Sequence, residues 1–453
     1  MRPLKILIVT WYFPPTNTMG ALRLGKLAKY LNRAGHDVRV LSARDIPRPQ
    51  SLPQDFPEER VTRTRWFDVN APSRWLARVL RRGGTGGGGG GAPAPVPTTP
   101  SPAGPNERPS LRARLSQLYQ NLINFPDAAA GWIPPALAAG GRESRAHRPD
   151  VILASGPPFS TLIVGALLAW RAKVPWVAEF RDRWADDPYY PPPGYRAWME
   201  SRCERWLVRR AAGLVTVSEP WAEAYRRTYA KPVCTVYNGF DPDDFTEAGA
   251  GAVDTDALVI VHTGRIYPGR RDPTPLFQAV RELGADVPVR MIFLGVPAER
   301  VMPLARACGV EHLVEARDHV PYAQSLAAQC AADILLFMQW NDPREQGNVP
   351  GKLFEYLAAR RPILGLGLED GVPAGIIRER DAGFFGNDPV AIAGRLRAWR
   401  KEKTTAGRID PLPESVCAGL SRDDQFEVLA RFLEQIRDGG PCAAHVASGE
   451  AYG

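Results

Sequence analysis

The sequence contains no run of about 18 consecutive apolar residues, the length that a membrane-spanning helix needs. Its opening segment, MRPLKILIVTWYF, leads directly into a strand-like apolar run and lacks the pattern of a signal peptide. The six cysteines are scattered without a CxxC pair, which argues against a zinc site and against a disulfide framework. These absences together predict a cytoplasmic protein.

The size and charge of the chain narrow its class further. A length of 453 residues exceeds one ordinary core and predicts two domains of about 200 residues each. A hydrophobic content of 44% and a charged content of 23% are typical of a globular protein. The net charge of +8, mostly from arginine, suits phosphate-bearing ligands, an anionic membrane surface or nucleic acid without choosing among them.

Alternating strand and helix patterns predict an α/β fold. The segment KILIVT reads as a buried strand and is followed by a loop at 11–20, an amphipathic helix and the strand HDVRVLSA, which together form a βαβ unit. Similar apolar runs follow and end at the strand-like segment 361–367. They lie at 151–155, 176–180, 214–218, 257–264, 289–295 and 332–338. We predict two Rossmann-like parallel-sheet domains that face each other across a cleft, with ligands beyond the carboxyl ends of the strands.

The predicted domains span residues 1–241 and 242–420. A helix over 421–438 is expected to pack back across their junction, and residues 439–453 are predicted to form a flexible tail. The Gly/Pro-rich segment at about 81–109 cannot bury enough apolar surface to fold, so we predict a flexible insertion there.

One carboxylate stands out in the segment NVPGKLFEYLAARRPILGLG, residues 348–367. Glu355 is surrounded by apolar residues in a predicted helical turn, where an unpaired carboxylate costs several kcal/mol. We therefore expect a polar ligand or a cation beside Glu355. The alternative is a salt bridge to Lys352, Arg360 or Arg361.

Six blocks of sequence, taken in order, resemble bacterial glycosyltransferases of the GT-B fold, in the large retaining family 4. They are YFPP near the start, EFRDRW (179–184), VTVSE (215–219), YNGFDPDDF (237–245), HTGRIYPGRRDP (262–273) and GKLFEYLAARRPIL (351–364). The resemblance covers nearly the whole chain except the insertion and the tail. It implies an N-terminal acceptor domain, a C-terminal sugar-nucleotide donor domain and transfer of a sugar, with retention, to an acceptor hydroxyl. It also implies a role in polysaccharide, lipopolysaccharide or glycolipid synthesis, with a sugar or lipid-linked acceptor.

On the donor side, the family places an Arg and a Lys six residues apart on the donor diphosphate, and Arg265 and Arg271 reproduce that spacing with Arg for Lys. Guanidinium groups suit phosphate oxygens, although arginines in a surface loop are usually only solvated. The resemblance implies that Glu355 accepts hydrogen bonds from the donor ribose hydroxyls. Other expected donor-binding residues are Gly264, Arg270, Asn348, Val349, Pro350, Lys352 and Leu353.

The family often carries a second glutamate eight residues before the first, and here Gly347 occupies that position, with Glu345 two residues out of register. Backbone amides from Gly347 to Lys352 are expected to hold the β-phosphate or the sugar instead.

On the acceptor side, the segment EFRDRWADD concentrates charge just past a strand. Many members of the family carry a histidine here and this sequence has none, so Asp182 and Arg181 become the candidates for orienting the acceptor hydroxyl. Glu179 and Arg183 are further acceptor-side candidates, and mutual ion pairing is the alternative for the whole group. Gly20 either lets the backbone approach a ligand closely or serves as a simple helix entry. The predicted catalytic residues are thus Asp182, Arg181 and Glu355.

The sequence Asp241-Pro242-Asp243 matches the Asp-x-Asp metal pattern of the other glycosyltransferase fold. Asn238-Gly239 and Pro242 instead indicate a turn, with Asp243 or Asp244 as a helix cap. We therefore expect no metal and no other cofactor. Nucleic acid is not expected as a partner, because basic residues are not interleaved with aromatics.

Two alternatives to a transferase remain: a nucleotide-sugar 2-epimerase and a non-catalytic sugar-nucleotide binder. The segment Ser73 to Arg82 places Trp75, Leu76, Val79 and Leu80 on one helical stripe beside four arginines. This pattern is typical of an interfacial helix and equally of an ordinary surface helix. It adds an expected peripheral contact with anionic membrane, at the inner face of the plasma membrane.

Overall fold

A computed structural model describes residues 3–71, 119, 122–187, 189, 192–246, 257–267, 269–318 and 320–439. The chain divides into two compact units. The first comprises Met1–Val217, Ala222–Thr235 and Val428–Gly453, and the second comprises Ser218–Trp221 and Val236–Glu427. The predicted insertion at 81–109, the predicted interfacial helix Ser73 to Arg82 and the predicted tail beyond residue 439 lie outside the described residues.

The first unit is built on a seven-stranded parallel sheet with the order β3-β2-β1-β4-β5-β6-β7. Its strands are β1 (Lys5–Thr10), β2 (Asp37–Ala43), β3 (Val61–Thr64), β4 (Val151–Gly156), β5 (Trp176–Phe180), β6 (Gly213–Thr216) and β7 (Val233–Thr235). In β1 every residue after Lys5 is buried, as expected of a central strand that is covered by helices on both faces.

Helices connect these strands. They are α1 (Met19–Arg33), α2 (Ile133–His147), α3 (Ser160–Ala172), α4 (Gly194–Arg210) and α5 (Glu219–Tyr229). The first helix begins where the Thr18 hydroxyl accepts a hydrogen bond from the Ala21 amide at 3.1 Å, a typical N-cap. Its Leu24, Leu27 and Leu31 are buried on one face, which is the periodicity that the sequence predicts.

The second unit contains a six-stranded parallel sheet with the order β10-β9-β8-β11-β12-β13. Its strands are β8 (Leu258–Thr263), β9 (Val289–Leu294), β10 (Val314–Arg317), β11 (Ile334–Met338), β12 (Ile363–Leu366) and β13 (Gly383–Phe385). Its helices are α6 (Asp243–Thr246), α7 (Thr274–Leu283), α8 (Ala298–Ala307), α9 (Tyr322–Ala331), α10 (Lys352–Ala358), α11 (Val372–Glu379) and α12 (Pro389–Ala406). The last helix, α13 (Arg422–Asp438), begins in this unit, and the division between the units falls within it, after Glu427.

Each sheet reverses its strand order at one point, between β1 and β4 in the first unit and between β8 and β11 in the second. Loops leave such a switch point in opposite directions and open a crevice at the carboxyl ends of the strands. In the second unit, β8 ends at Thr263 and β11 ends at Met338. The loops that carry most of the predicted donor residues therefore start at the switch point.

The predicted strands are confirmed, with bounds that differ by one or a few residues, and so is the α/β class with two parallel sheets. Four short strands were not predicted: β3, β7, β10 and β13. Within the described residues, no helix is long and apolar enough to cross a membrane.

A buried ion pair fastens the long helix α12 to the second sheet. Lys403 is only 1% exposed, and its Nζ donates to Asp333 Oδ2 at 2.6 Å and to the Ala257 carbonyl at 2.8 Å. The same Asp333 oxygen accepts from the Val259 amide at 2.8 Å. The pair thus joins the helix to the start of β8.

We predict that Lys403→Met lowers the free energy of unfolding by about 3–5 kcal/mol, because Asp333 is left buried without its cation. Chemical denaturation measures the loss. The matched variant Lys401→Met, at an exposed position on the same helix, should change the stability by less than about 0.5 kcal/mol. Equal stabilities for the two variants would contradict a structural role for the buried pair.

Candidate functional site

Several of the predicted donor-binding residues meet at the end of β8. Lys352, the first residue of α10, donates from Nζ to the Thr263 carbonyl at 2.9 Å. Tyr356, one turn further along the helix, accepts a hydrogen bond from the Thr263 amide at 2.9 Å through its hydroxyl. That hydroxyl in turn donates to the Leu336 carbonyl on β11, at 3.4 Å. The helix is thereby fixed to both strands of the switch point.

Glu355 is 8% exposed, as its apolar surroundings in the sequence predict. Its Oε1 accepts from the Tyr322 hydroxyl at 3.2 Å and its Oε2 from Gln329 Nε2 at 3.4 Å. Burial raises the pKa of Glu355, and Arg422, Gln329, Tyr322 and Lys352 oppose this rise. The carboxylate therefore lies in a polar pocket within an apolar helix, with partners that bond it only weakly.

The salt bridge considered for Glu355 does not form with the arginines that follow it. Arg360 Nε donates to the Leu412 carbonyl at 2.6 Å, and Arg361 Nε donates to the Cys330 carbonyl at 2.9 Å. The charges that lower the pKa of Glu355 are instead those of Arg422 and Lys352. The carboxylate is therefore available to a ligand.

The three predicted arginines of the loop after β8 differ in their surroundings. Arg265 is exposed. The guanidinium group of Arg271 lies 4.9 Å from the centre of the Tyr267 ring, and its buried Nε has no hydrogen-bond partner among the described residues. That of Arg270 lies 4.6 Å from the Trp340 ring, which also contacts Arg344 at 4.6 Å. The Nε–H of Arg271 is thus a hydrogen-bond donor that remains available near the other predicted donor-binding residues.

Positive charge is concentrated near Gly264, whose φ of +102° lies in the region that favours glycine. A Cβ atom at position 264 would lie 3.2 Å from Lys352 Nζ. Burial and the neighbouring Arg271 lower the pKa of Lys352 well below its usual range, and Glu355 partly opposes this. An anion at this place would raise the pKa of Lys352 again, because a negative neighbour favours the ammonium form.

Gly347, at the position of the absent second glutamate, has no room for a side chain. A Cβ atom there would lie 2.2 Å from Cδ1 and Nε1 of Trp221 and 3.1 Å from the Ser218 hydroxyl. Glu345 is fully buried nearby and accepts from Asn348 Nδ2 at 2.8 Å. An indole ring therefore fills the space that a glutamate at this position would need.

The expected row of free amides before α10 is only partly present. The Asn348 amide donates to the Glu345 carbonyl at 2.9 Å, so it is already used. Val349 and Leu353 are buried in the apolar core of the second unit, and Pro350 has no amide hydrogen. Of this segment, the side chain of Lys352 is the group best placed to meet an anion.

On the acceptor side, Glu179 is fully buried and its Oε1 accepts from Arg23 Nη2 at 2.8 Å and Nε at 3.1 Å. Burial would raise the pKa of Glu179, but Arg23 and Arg181 outweigh it and hold this pKa below its ordinary value. Glu179 therefore ties β5 to α1.

Arg181 and Gly20 lie together. A Cβ atom at Gly20 would lie 2.5 Å from Arg181 Nη1, so the glycine makes room for the guanidinium group. Arg181 Nε donates to the Ser155 hydroxyl at 3.1 Å. Asp182, the next residue, is exposed, and Arg183 forms an ion pair with Asp186. Of the charged candidates in this segment, Asp182 is the one whose carboxylate accepts no hydrogen bond from the described residues.

The turn at Asp241-Pro242-Asp243 corrects one prediction. Asp243 and Asp244 are the first two residues of the short helix α6, so they lie inside the helix and not at the cap position before it. The cap contact comes from Asp241, whose Oδ1 accepts from the Asp243 amide at 3.1 Å, because the proline turn brings that side chain over the helix start. Asp244 Oδ2 lies 3.2 Å from the Tyr322 hydroxyl, the same distance as Glu355 Oε1, so the two carboxylates share the single proton of that hydroxyl. Within the described ranges, no group of three or more His, Cys, Asp or Glu side chains could hold a metal ion.

Sequence reasoning missed the polar residues that surround Glu355. Tyr322 and Gln329 come from α9 and Arg422 from the start of α13. Their residue types carry no signal, since a tyrosine and a glutamine at a helical spacing are typical of any surface helix. Only the packing of α9 against the end of β8 makes them part of this pocket.

Comparison with known proteins agrees with this geometry. Residues 20–239 match the model of the family described as Glycosyl transferase 4-like domain. Among solved structures, Alr3699/HepE from Anabaena in complex with UDP is 14% identical, with a TM-score of 0.59, and covers 95% of this chain and 100% of its own. Sucrose-phosphate synthase from Thermosynechococcus elongatus is 14% identical, with a TM-score of 0.61 and coverage of 97% and 100%.

A putative UDP-N-acetylglucosamine 2-epimerase from Listeria monocytogenes is also similar, with 9% identity, a TM-score of 0.54 and coverage of 98% and 100%. At such identities the likeness to solved structures establishes the fold alone, which is GT-B. No curated protein matches the chain.

We predict that Gly347→Ala lowers the free energy of unfolding by about 1–3 kcal/mol, the usual cost of overpacking a filled site. The matched control is Gly394→Ala on α12, where a Cβ atom meets nothing within 4 Å. That control should stabilise the protein by about 0.5–1 kcal/mol, because it removes a glycine from a helix interior. Thermal or denaturant unfolding of both variants gives the comparison, and a neutral Gly347→Ala would show that Trp221 moves aside freely.

Proposed function

We propose that this protein is a glycosyltransferase that uses a nucleoside-diphosphate sugar as its donor, because residues 20–239 match the model of the glycosyl transferase 4-like family and the chain has the GT-B fold. The observation that carries the proposal is the group at the end of β8. Lys352 and Arg271 bring positive charge there, and Glu355 brings a buried carboxylate on the same helix as Lys352. A nucleoside diphosphate offers the matching groups, namely two phosphates and a ribose with two hydroxyls.

In this proposal the cations bind the diphosphate and stabilise the charge that it develops as the glycosidic bond breaks. Hydrogen-bond donors for the phosphate oxygens come from the Nε–H of Arg271, which has no partner among the described residues, and from the exposed Arg265. Glu355 accepts hydrogen bonds from the ribose hydroxyls, which replace its weak contacts to Tyr322 and Gln329. Asp182, exposed at the end of β5, orients the acceptor hydroxyl, and Arg181 positions that segment.

We further propose that transfer proceeds with retention and that the departing phosphate takes the proton of the acceptor. The hydroxyl beside Glu355 is that of Tyr322, and burial together with the carboxylates of Glu355 and Asp244 raises its pKa, which makes it a weak nucleophile and supports a route without an enzyme-bound sugar. The acceptor belongs to polysaccharide, lipopolysaccharide or glycolipid synthesis in this proposal. The net charge of +8 supports peripheral contact with anionic lipid at the cytoplasmic face of the plasma membrane.

The state of His262 favours a transferase over a 2-epimerase. Its ring is 1% exposed, and Nδ1 donates to the Leu336 carbonyl at 2.8 Å. Burial and the nearby Lys352 lower the pKa of His262 well below its usual range, so the ring is neutral. A buried neutral imidazole that is bonded to the backbone is a poor candidate for proton transfer to a sugar.

The central test is release of nucleoside diphosphate from uridine, guanosine and adenosine diphosphate sugars, with and without candidate acceptors. We expect acceptor-dependent release with one donor class and a product that keeps the anomeric configuration, as read by NMR. Glu355→Gln should abolish turnover with little change in melting temperature, and Glu402→Gln, exposed on α12, should behave as the parent. Interconversion of two nucleotide sugars without release would identify an epimerase instead.

The pH dependence of donor binding should report on Glu355. Its pKa is raised above the ordinary 4.5, so the carboxylate is lost as the pH falls through that higher value. Donor affinity should then decline on acidification already above pH 4.5, because a protonated carboxyl accepts ribose hydroxyls poorly. In Glu355→Gln this part of the profile should be flat, and a decline of equal size in that variant would remove Glu355 from the donor site.

We also propose that the cations of the loop hold the diphosphate without a metal ion. Alanine at Arg265 or Arg271 should weaken nucleoside diphosphate binding by about 1.5–3 kcal/mol, the scale of a charge-assisted hydrogen bond. Calorimetry measures this, with Arg281→Ala, an exposed position on α7, as the control. Treatment with EDTA should leave the affinity of the parent unchanged, and a large loss would show that a divalent ion takes part.

A further inference from the structure

Helix α4 (Gly194–Arg210) has an exposed stripe of unusual composition. Its opposite face is buried in the first unit through Arg196, Glu200, Glu204, Leu207 and Val208. At 100° per residue, six of the eight exposed residues of this helix fall within an arc of about 100° on the solvent side. They are Tyr195, Trp198, Arg202, Arg205, Trp206 and Arg209. We call these six residues the α4 stripe.

The aromatic side chains of the α4 stripe are well exposed: Tyr195 by 41%, Trp198 by 62% and Trp206 by 38%. A folded protein exposes single large apolar groups at random, but three aromatics along one helix stripe are a pattern. Two of them lie under guanidinium groups one turn further on. Arg202 lies 5.1 Å from the Trp198 ring, and Arg210 lies 4.3 Å from the Trp206 ring.

The α4 stripe contains no acidic residue. Both glutamates of the helix point to its buried face, where Glu200 pairs with Arg196. Glu204 accepts from the Ala185 amide at 3.1 Å and from the Tyr229 hydroxyl at 2.9 Å. The surface that α4 presents to solvent therefore combines aromatic rings with arginines and carries no acid.

We propose that the α4 stripe docks this protein on an anionic lipid bilayer. Indole and phenol rings favour the headgroup level of a bilayer, where the ring meets apolar chains and its polar atom meets water. Arginines in the same row bind lipid phosphates, and each contributes attraction to an anionic surface. A second copy of the chain fits less well, because three of the six residues are arginines and a symmetric contact would bring these like charges together.

This inference rests on the proposed peripheral membrane contact and moves it to a surface of the described chain. Helix α4 follows Asp182 in the sequence, so the stripe belongs to the unit that carries the proposed acceptor-side residues. A lipid-linked acceptor would then be presented from the same bilayer that the stripe contacts.

The test is flotation of the full chain with vesicles of phosphatidylcholine alone or mixed with phosphatidylglycerol. We expect binding only to the anionic vesicles, weaker at high salt because the Debye length shortens. Arg202→Gln with Arg205→Gln should weaken binding about thirtyfold, since each arginine near an anionic surface contributes roughly a factor of five. Trp198→Ala with Trp206→Ala should abolish flotation.

The matched control removes two positive charges elsewhere. Arg397→Gln with Lys401→Gln, both exposed on α12, should float as the parent does. All substituted positions are exposed, so every variant should keep the melting temperature of the parent. Loss of binding in the control variant would show a general charge effect and overturn the inference.

Three further results would overturn it. If the parent protein does not float with anionic vesicles, both the role of the α4 stripe and the proposed membrane contact are wrong. The transferase activity is still decided separately, by the sugar-nucleotide assay. Flotation that is equal in the parent and both α4 variants places the contact elsewhere, for example at Ser73 to Arg82. A dimer in light scattering that Trp198→Ala with Trp206→Ala abolishes, with vesicle binding unchanged, assigns the stripe to a second copy of the chain.

Discussion

The hydrogen bonds at Thr263 are the constraint on which the arrangement of the predicted donor-binding residues depends. The amide of this last residue of β8 donates to the Tyr356 hydroxyl, and its carbonyl accepts from Lys352. Burial raises the pKa of Tyr356 to about 12, so the hydroxyl keeps the proton that it donates to Leu336. One strand end thereby sets the rotation of α10, and that rotation directs Glu355 toward Tyr322 and Gln329 and away from the core.

Much of this arrangement was predictable, because it follows from local patterns. Apolar runs that are bounded by glycine gave the central strands, and a carboxylate among apolar neighbours pointed to Glu355. The missed strands β3 and β10 have the sequences VTRT and VEAR, which are half exposed and carry no continuous apolar run. Such short strands form because a neighbouring strand offers its open edge, which is a tertiary effect.

The roles of the charged residues were harder to predict for the same reason. The sequence predicts Glu179 as a site residue beside Asp182. In the structure its carboxylate is paired with buried Arg23, which comes from a helix far away in the sequence. Asp243 was predicted as a cap, but it is already the first residue of α6, and its amide donates to Asp241. The sequence shows which groups carry charge, whereas packing decides which of these charges are neutralised inside the fold and which stay open to a ligand.

The contact between Gly347 and Trp221 has a consequence for how this chain can change over time. Because the indole occupies the place of a side chain at position 347, a glutamate can fit there only if residue 221 becomes smaller. The smaller residue on its own would leave a cavity, so each single step is unfavourable and only the pair is tolerated. The two positions should therefore vary together among related chains.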